Sequence, residues 1–189
     1  MRIIAGEFKG STIKPTYNKT TRPLKDRARE GIFNLLVHSN KISFLFEKAN
    51  VLDLYAGTGS FGLECLSRNV KNVCFVENDN ETIKILEKNI KKLNLKKKTH
   101  IFYDNVFDLI KKRNTFKSKF NLIFCDPPFK DKNIDKLIQF IKKSNLLSKG
   151  GIIILHRKKG TIERFPNYFE IIDERIYGIS NIIFGKILI

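Results

Sequence analysis

Asp53-Leu54-Tyr55-Ala56-Gly57-Thr58-Gly59-Ser60-Phe61-Gly62 closes a β-rich run at residues 51–55 and opens a helical one at Ser60–Ser67. Gly57, Gly59 and Gly62 fit the spacing GxGxxG, which permits a tight turn and close backbone approach to a ligand. Downstream the pattern repeats. β-rich runs at 73–77, 100–103, 121–126 and 151–156 are separated by helical stretches at 80–94, 106–112 and Ile134–Lys143. The clearest helix carries Ile83, Leu86, Ile90 and Leu93 on one stripe, with Asn78 and Glu81 spaced as a capping box. Strands alternating with helices of this length imply βαβ units, right-handed crossovers and a mainly parallel sheet. Residues 168–176 and 181–189, joined by Tyr177-Gly178-Ile179-Ser180, break the rhythm and read as an antiparallel hairpin at the sheet edge. The fold class is therefore α/β, a mainly parallel seven-stranded sheet with a C-terminal antiparallel hairpin.

Upstream of this unit, residues 1–45 form a basic extension, and 46–189 form the α/β domain. Through Arg29 the extension carries eight basic residues against Glu7 and Asp26. Short β pieces at 2–4 and 11–14 suggest a small hairpin. A helix is expected from Leu24, with Ala28, Ile32, Leu35 and Leu36 at helical spacing.

The whole chain has 189 residues, 42% of them hydrophobic and 29% charged, with 16 Phe, as a folded domain requires. A chain of this length buries roughly 70% of its unfolded surface without a disulfide or metal staple. The net charge of +17 favours polyanionic partners, nucleic acid foremost. The longest aliphatic run, Ile152-Ile153-Ile154-Leu155, falls far short of the ~18 residues of a membrane span. Cys65, Cys74 and Cys125 share no CxxC spacing, and His38, His100 and His156 form no ligand pair, so no metal site is expected. With no signal-peptide pattern at the start, the expectation is a soluble, reduced, cytoplasmic protein without membrane partners.

Ligands of open α/β sheets collect at the carboxyl ends of the strands. There Asp53 sets a carboxylate just before the glycine turn, where it would repel a diphosphate. A ligand with both an ammonium and a carboxylate suits the place better, and S-adenosylmethionine is one. Asp53 can meet the amino group, while backbone N–H groups at the helix start receive the carboxylate. Glu77, ending the second strand, can accept both hydroxyls of an adenosine ribose. Asp104 can accept from the adenine amino group or cap the following helix.

Asp126-Pro127-Pro128-Phe129 follows the buried run Phe120-Asn121-Leu122-Ile123-Phe124-Cys125. Two prolines fix the backbone and leave its carbonyls as acceptors. With the Asp126 carboxylate and the flat face of Phe129, the turn suits a planar base bearing an exocyclic NH₂. Cys125, inside the apolar strand, reads as a buried, inert thiol.

A glycine loop, an acidic strand end and D-PP-F together resemble the amino-group methyltransferases that use S-adenosylmethionine. Arg2-Ile3-Ile4-Ala5-Gly6-Glu7-Phe8-Lys9-Gly10 and Thr21-Arg22-Pro23-Leu24-Lys25-Asp26-Arg27-Ala28-Arg29-Glu30 narrow the resemblance. They are similar to motifs of the bacterial 16S ribosomal RNA guanine-N2 methyltransferases of the small-subunit type D family. That resemblance runs nearly end to end and includes Tyr177-Gly178. It implies a Rossmann-like class I methyltransferase fold and methyl transfer to a guanine of 16S ribosomal RNA, in the small subunit or an assembly intermediate, by a monomer.

The catalytic set it implies is Asp126, Pro127, Pro128 and Phe129. Cofactor contacts are expected at Asp53, Tyr55, Ala56, Gly57, Thr58 and Gly59 in the first turn, and at Glu77 and Asn78 after the second strand. Asp104, Asn105 and Val106 after the third strand, and Asp126, complete the set. Arg2, Arg22, Arg27 and Arg29 are expected on RNA phosphates, because guanidinium forks match phosphate oxygens. Leu24, Ala28 and His156-Arg157 depart from the family pattern. At 156–157 an acidic residue is frequent, and the departure is expected to touch only a peripheral contact of the base pocket. Rival readings are an N6-adenine methyltransferase, a protein glutamine methyltransferase, an NAD-dependent dehydrogenase and a non-catalytic RNA-binding assembly module.

Overall fold

The computed structural model describes residues 1–16, 24–112 and 115–188. Its elements run in chain order as α1 (Asp26–His38), β1 (Asn50–Leu54), α2 (Ser60–Ser67), β2 (Asn72–Glu77), α3 (Asn80–Lys92) and β3 (Thr99–Tyr103). They continue as α4 (Val106–Lys111), β4 (Phe120–Cys125), α5 (Ile134–Lys143), β5 (Leu147–Lys158), β6 (Phe169–Tyr177) and β7 (Ser180–Ile187). The strands form one sheet in the order β3-β2-β1-β4-β5-β7-β6. The first five are parallel, and β7 joins β5 and β6 antiparallel.

The inner strands β1, β4 and β5 carry nearly continuous apolar runs because both faces of the sheet are covered there. Val51, Leu122, Phe124, Ile152 and Ile154 pack with α1, α2 and α3 on one face. Leu52, Ile123, Cys125, Ile153 and Leu155 pack with α4 and α5 on the other. None of the described helices is long and apolar enough to cross a membrane.

The expected N-terminal hairpin is present as an antiparallel bridge between Arg2 and Thr12, flanked by Ile3 N–H to Ser11 O at 2.9 Å and Ile13 N–H to Met1 O at 2.8 Å. The segment also docks on α2. The buried Glu64 carboxylate accepts the Ile4 N–H at 2.7 Å and the Ala5 N–H at 3.0 Å. Ser67 Oγ donates to Ala5 O at 2.6 Å and accepts the Phe8 N–H at 2.9 Å. Gly6, at φ 82°, lies so close that a Cβ would fall 1.8 Å from Ser67 O. Ile3, Ile13 and Leu24 share one core with the sheet.

Register decides what meets at the carboxyl end of the sheet. Val76, Leu54, Cys125 and Leu155 lie side by side across β2, β1, β4 and β5. The next residue of each strand is therefore Glu77, Tyr55, Asp126 and His156, in one row.

Candidate active site

Beside that row lies a cleft of about 180 Å³, lined by Tyr55, Val76, Glu77, Asn78, Asp104, Asn105, Val106, Phe107, Pro128 and Asp131. The turn after β1 closes on itself through Ala56 N–H to Val76 O and Gly59 N–H to Ala56 O, both 2.9 Å. Gly59 takes φ 86°, and a Cβ there would fall 2.4 Å from Leu86 of α3. Both facts demand glycine. A Cβ on Gly62 would lie 2.3 Å from the Phe75 ring, so this glycine lets α2 pack on β2. Thr58 is buried in the turn, and its carbonyl accepts from Asn89 Nδ2 at 3.0 Å. Asn89 also holds both backbone groups of Lys14, at 2.9 and 3.1 Å, tying the N-terminal segment to the glycine turn. Asn89 was not anticipated. It is a polar residue beside Ile90 in a helix otherwise read for its apolar stripe.

Asp53 sits beneath the turn and outside the cleft lining. Its Oδ2 accepts the Gly62 N–H at 3.0 Å, and burial pushes its carboxyl well above the ordinary range. Glu77 Oε2 accepts the Gly57 N–H at 2.8 Å, while Oε1 accepts the N–H groups of Asn78 and Asp79 at 2.9 and 3.0 Å. A carboxylate takes about four hydrogen bonds, so one position on Oε2 stays open to a ligand hydroxyl. The expected bidentate grip on a ribose meets a carboxylate already largely engaged.

Two capping expectations need correction. Asn105, not Asp104, caps α4, accepting the Phe107 N–H at 2.9 Å. Asp104 instead pairs with Lys112. Asp79, not Asn78, caps α3 through the Thr82 N–H at 2.8 Å, which helps hold its carboxyl below the usual range.

Tyr55 takes φ 62°, a left-handed conformation that strains a side-chain-bearing residue. Its hydroxyl is buried without a hydrogen-bond partner, and burial pushes the phenol upward. Cys125 is fully buried and its thiol is likewise pushed up, as an inert core cysteine should be.

Asp126 leaves β4 with its N–H on Leu54 O at 3.3 Å. His156 Nδ1 lies 2.8 Å from Asp126 Oδ1, and His156 Nε2 lies 2.8 Å from Ser180 Oγ. Phe129 meets the same imidazole edge-on, with centroids 5.3 Å apart. Arg157, 1% exposed, pairs with Glu163, donates to Asp131 O at 2.5 Å and reaches Pro128 O at 3.4 Å. The end of β5 therefore braces the proline turn directly. This corrects the peripheral role expected for His156-Arg157. Two polar residues ending an aliphatic strand beside β4 were the available signal.

The arginines divide. Arg2 and Arg27 are exposed. Arg22 lies outside the described residues. Arg29 is 0% exposed, with Nη2 on Arg2 O at 2.6 Å and on Asp26 at 2.9 Å, and burial pushes its guanidinium down. A phosphate cannot reach it, so the RNA role expected of Arg29 is withdrawn.

A family model described as conserved hypothetical protein 95 matches residues 1–186. The ribosomal RNA small subunit methyltransferase D of Buchnera aphidicola (subsp. Baizongia pistaciae) is 30% identical over 158 residues, 84% of this chain and 76% of its own. This chain belongs to that family. The member of the same name from Haemophilus influenzae is 28% identical over 180 residues, covering 95% of this chain and 90% of its own. A solved candidate methylase from Haemophilus influenzae superposes with a TM-score of 0.79 at 27% identity, covering 100% of this chain and 98% of that one. A solved Escherichia coli chain reaches a TM-score of 0.83 at 23% identity over 100% and 98%, which shows the shared fold. The small subunit methyltransferase D family thus supplies the class I methyltransferase architecture in which the cleft and proline turn sit.

Proposed function

We propose that this chain transfers a methyl group from S-adenosylmethionine to the exocyclic N2 of a guanine in 16S ribosomal RNA, acting as a monomer on the small subunit or an assembly intermediate. The observation that carries the reading is that Pro128 of the proline turn and Glu77 of β2 line one cleft. A nucleoside held at Glu77 and a base held at Asp126-Pro127-Pro128-Phe129 are then neighbours.

The residues fit the cofactor. Glu77 keeps an open acceptor for a ribose hydroxyl, and Tyr55 contributes to the cleft wall. Ala56, Gly57, Thr58 and Gly59 offer the small turn that a methionyl group requires, while Asn78, Asp104, Asn105 and Val106 line the remaining wall. Bound there, S-adenosylmethionine supplies a sulfonium methyl group as electrophile.

The protein's work is alignment and fixed electrostatics. The guanine amino group is a poor nucleophile because its lone pair is delocalised into the ring. The Asp126 carboxylate and the Pro127 carbonyl accept its two hydrogens and favour a pyramidal nitrogen. Asp126 also opposes the positive charge that grows on that nitrogen, and Phe129 stacks on the base. Residues 1–45 meet the RNA through Arg2 and Arg27, with Arg22 beside them in sequence, and 46–189 carry the transfer chemistry.

The test is transfer of radiolabelled methyl from S-adenosylmethionine to small subunits, followed by nucleoside analysis. Labelled N2-methylguanosine is expected. Label in N6-methyladenosine, or none in RNA, overturns the reading.

A further inference from the structure

We infer that His156 is a positioning residue that fixes which oxygen of Asp126 faces the substrate amine. This rests on the methyl-transfer reading above and adds a residue that reading does not use. His156 is 2% exposed and bonded at both ring nitrogens, 2.8 Å to Asp126 and 2.8 Å to Ser180. An ionised carboxylate only accepts hydrogen bonds, so Nδ1 must carry the proton that lies between it and Oδ1. The other tautomer would set a nitrogen lone pair against a carboxylate oxygen. In the neutral ring Nε2 is then the acceptor, and the Ser180 hydroxyl donates to it.

The consequence is geometric. The Asp126 side chain keeps 19% of its surface exposed, whereas the ring that holds Oδ1 is buried and bonded on both sides, to Asp126 after β4 and to Ser180 of β7. Ser180 opens β7 and pairs in register with Lys158 of β5, so the anchor belongs to the sheet. With one acceptor position of Oδ1 taken by the ring, Oδ2 is the oxygen with the greater acceptor capacity left for the amine. Phe129 touches the same imidazole edge-on, so one ring supports both the acceptor and the stacking face. Without it the carboxylate swings freely, and small misplacements of a reacting group cost about 10²-fold in rate.

The experiment compares His156→Phe, His156→Asn and Ser180→Ala in the full chain, with Asp126→Ala run alongside. His156→Phe keeps a ring and removes the donor, and kcat for methyl transfer to small subunits is expected to fall about 10²-fold. KM for the subunit and calorimetric affinity for S-adenosylhomocysteine stay within about twofold of wild type. His156→Asn places an amide N–H near the Nδ1 position and recovers most of the lost kcat, and Ser180→Ala gives a smaller loss. In ¹⁵N NMR of the wild-type protein, His156 shows a protonated Nδ1 and an unprotonated Nε2, a readout that needs neither activity nor a variant.

Wild-type kcat in His156→Phe, failure of Asn to rescue, or an Nε2–H tautomer each overturns the inference. If Asp126→Ala is also fully active, or wild type labels no RNA, the methyl-transfer reading fails instead. The tautomer measurement then judges the His156–Asp126 contact by itself.

Discussion

The Glu77 carboxylate accepts the Gly57 N–H at 2.8 Å across twenty residues of chain. The acid at the end of β2 therefore shapes the turn at the end of β1 while keeping one acceptor position toward the cleft. Turn geometry and the acceptor presented to the cleft are thus coupled, because a single carboxylate provides both.

Removing that carboxylate should cost more than a ligand contact. Glu77→Ala leaves the N–H groups of Gly57, Asn78 and Asp79 without their acceptor. Calorimetric affinity for S-adenosylhomocysteine is expected to weaken about 10- to 100-fold, the equivalent of losing a charged hydrogen bond of about 1.5–3 kcal/mol. Glu77→Gln, which keeps one oxygen, should fall between. Unchanged affinity in both would dissociate Glu77 from the ligand.

Asp126→Ala separates binding from chemistry. Asp126 opens the proline turn after β4 and is not in the lining of the cleft, so affinity for S-adenosylhomocysteine should hold within a few-fold. Methyl transfer is expected to drop about 10²- to 10³-fold, the range for losing one aligned electrostatic group. Normal turnover in the variant removes Asp126 from the mechanism.

Asp53 predicts a pH dependence of stability. Burial raises its folded carboxyl well above the ordinary value of an aspartate. Between the unfolded and folded values, the native state holds a proton that the unfolded chain has released. Stability therefore falls as pH rises through that window and levels off above it. Asp53→Asn retains an acceptor for the Gly62 N–H and removes the titration. Its Tm, followed from about pH 4 to 8, should vary less than that of wild type and be no lower at the alkaline end. A steeper profile in the variant contradicts the assignment.

The alternation of strand and helix over residues 50–158 is legible because the inner strands β1, β4 and β5 are covered on both faces and read as nearly continuous apolar runs. The edge strand β3 is more exposed. Asp126-Pro127-Pro128-Phe129 is legible because prolines fix local backbone whatever surrounds them. His156 and Arg29 are not. His156 finds its partners at Asp126 and Ser180, thirty and twenty-four residues away, through strand register. Arg29 sits in a basic stretch that the sequence assigns to RNA phosphates, yet its helix turns it onto the carbonyl of Arg2. Local pattern reports periodicity and can flag polar residues at the end of an aliphatic strand, but it does not name their distant partners.

The two arginines of α1 should therefore behave oppositely. Arg27 is exposed, and Arg27→Ala is expected to leave Tm unchanged while lowering the salt slope of RNA binding by about one unit. Arg29 is buried on Arg2 and Asp26. Arg29→Ala should reduce stability by about 1–3 kcal/mol and leave the salt slope at its wild-type value. A reduced slope with intact stability in Arg29→Ala would return that residue to the RNA.

Glu64 gives the sharpest stability test. Its carboxylate, 0% exposed, holds the Ile4 and Ala5 N–H groups and Arg68 Nε at 3.1 Å. Arg68 in turn lies 4.4 Å over the Phe33 ring of α1. Glu64→Ala strands two backbone donors and leaves Arg68 without its counterion, so a loss of about 3–5 kcal/mol in urea denaturation is expected. Glu64→Gln keeps an oxygen for one N–H and should lose less. Hydrogen exchange at Ile4 and Ala5 should accelerate well before the β1 and β4 amides respond, because the segment undocks from α2 without opening the sheet. Equal acceleration at both places would mean that the segment and the sheet unfold as one unit, and that Glu64 stabilises the whole domain and not the docking of its first residues.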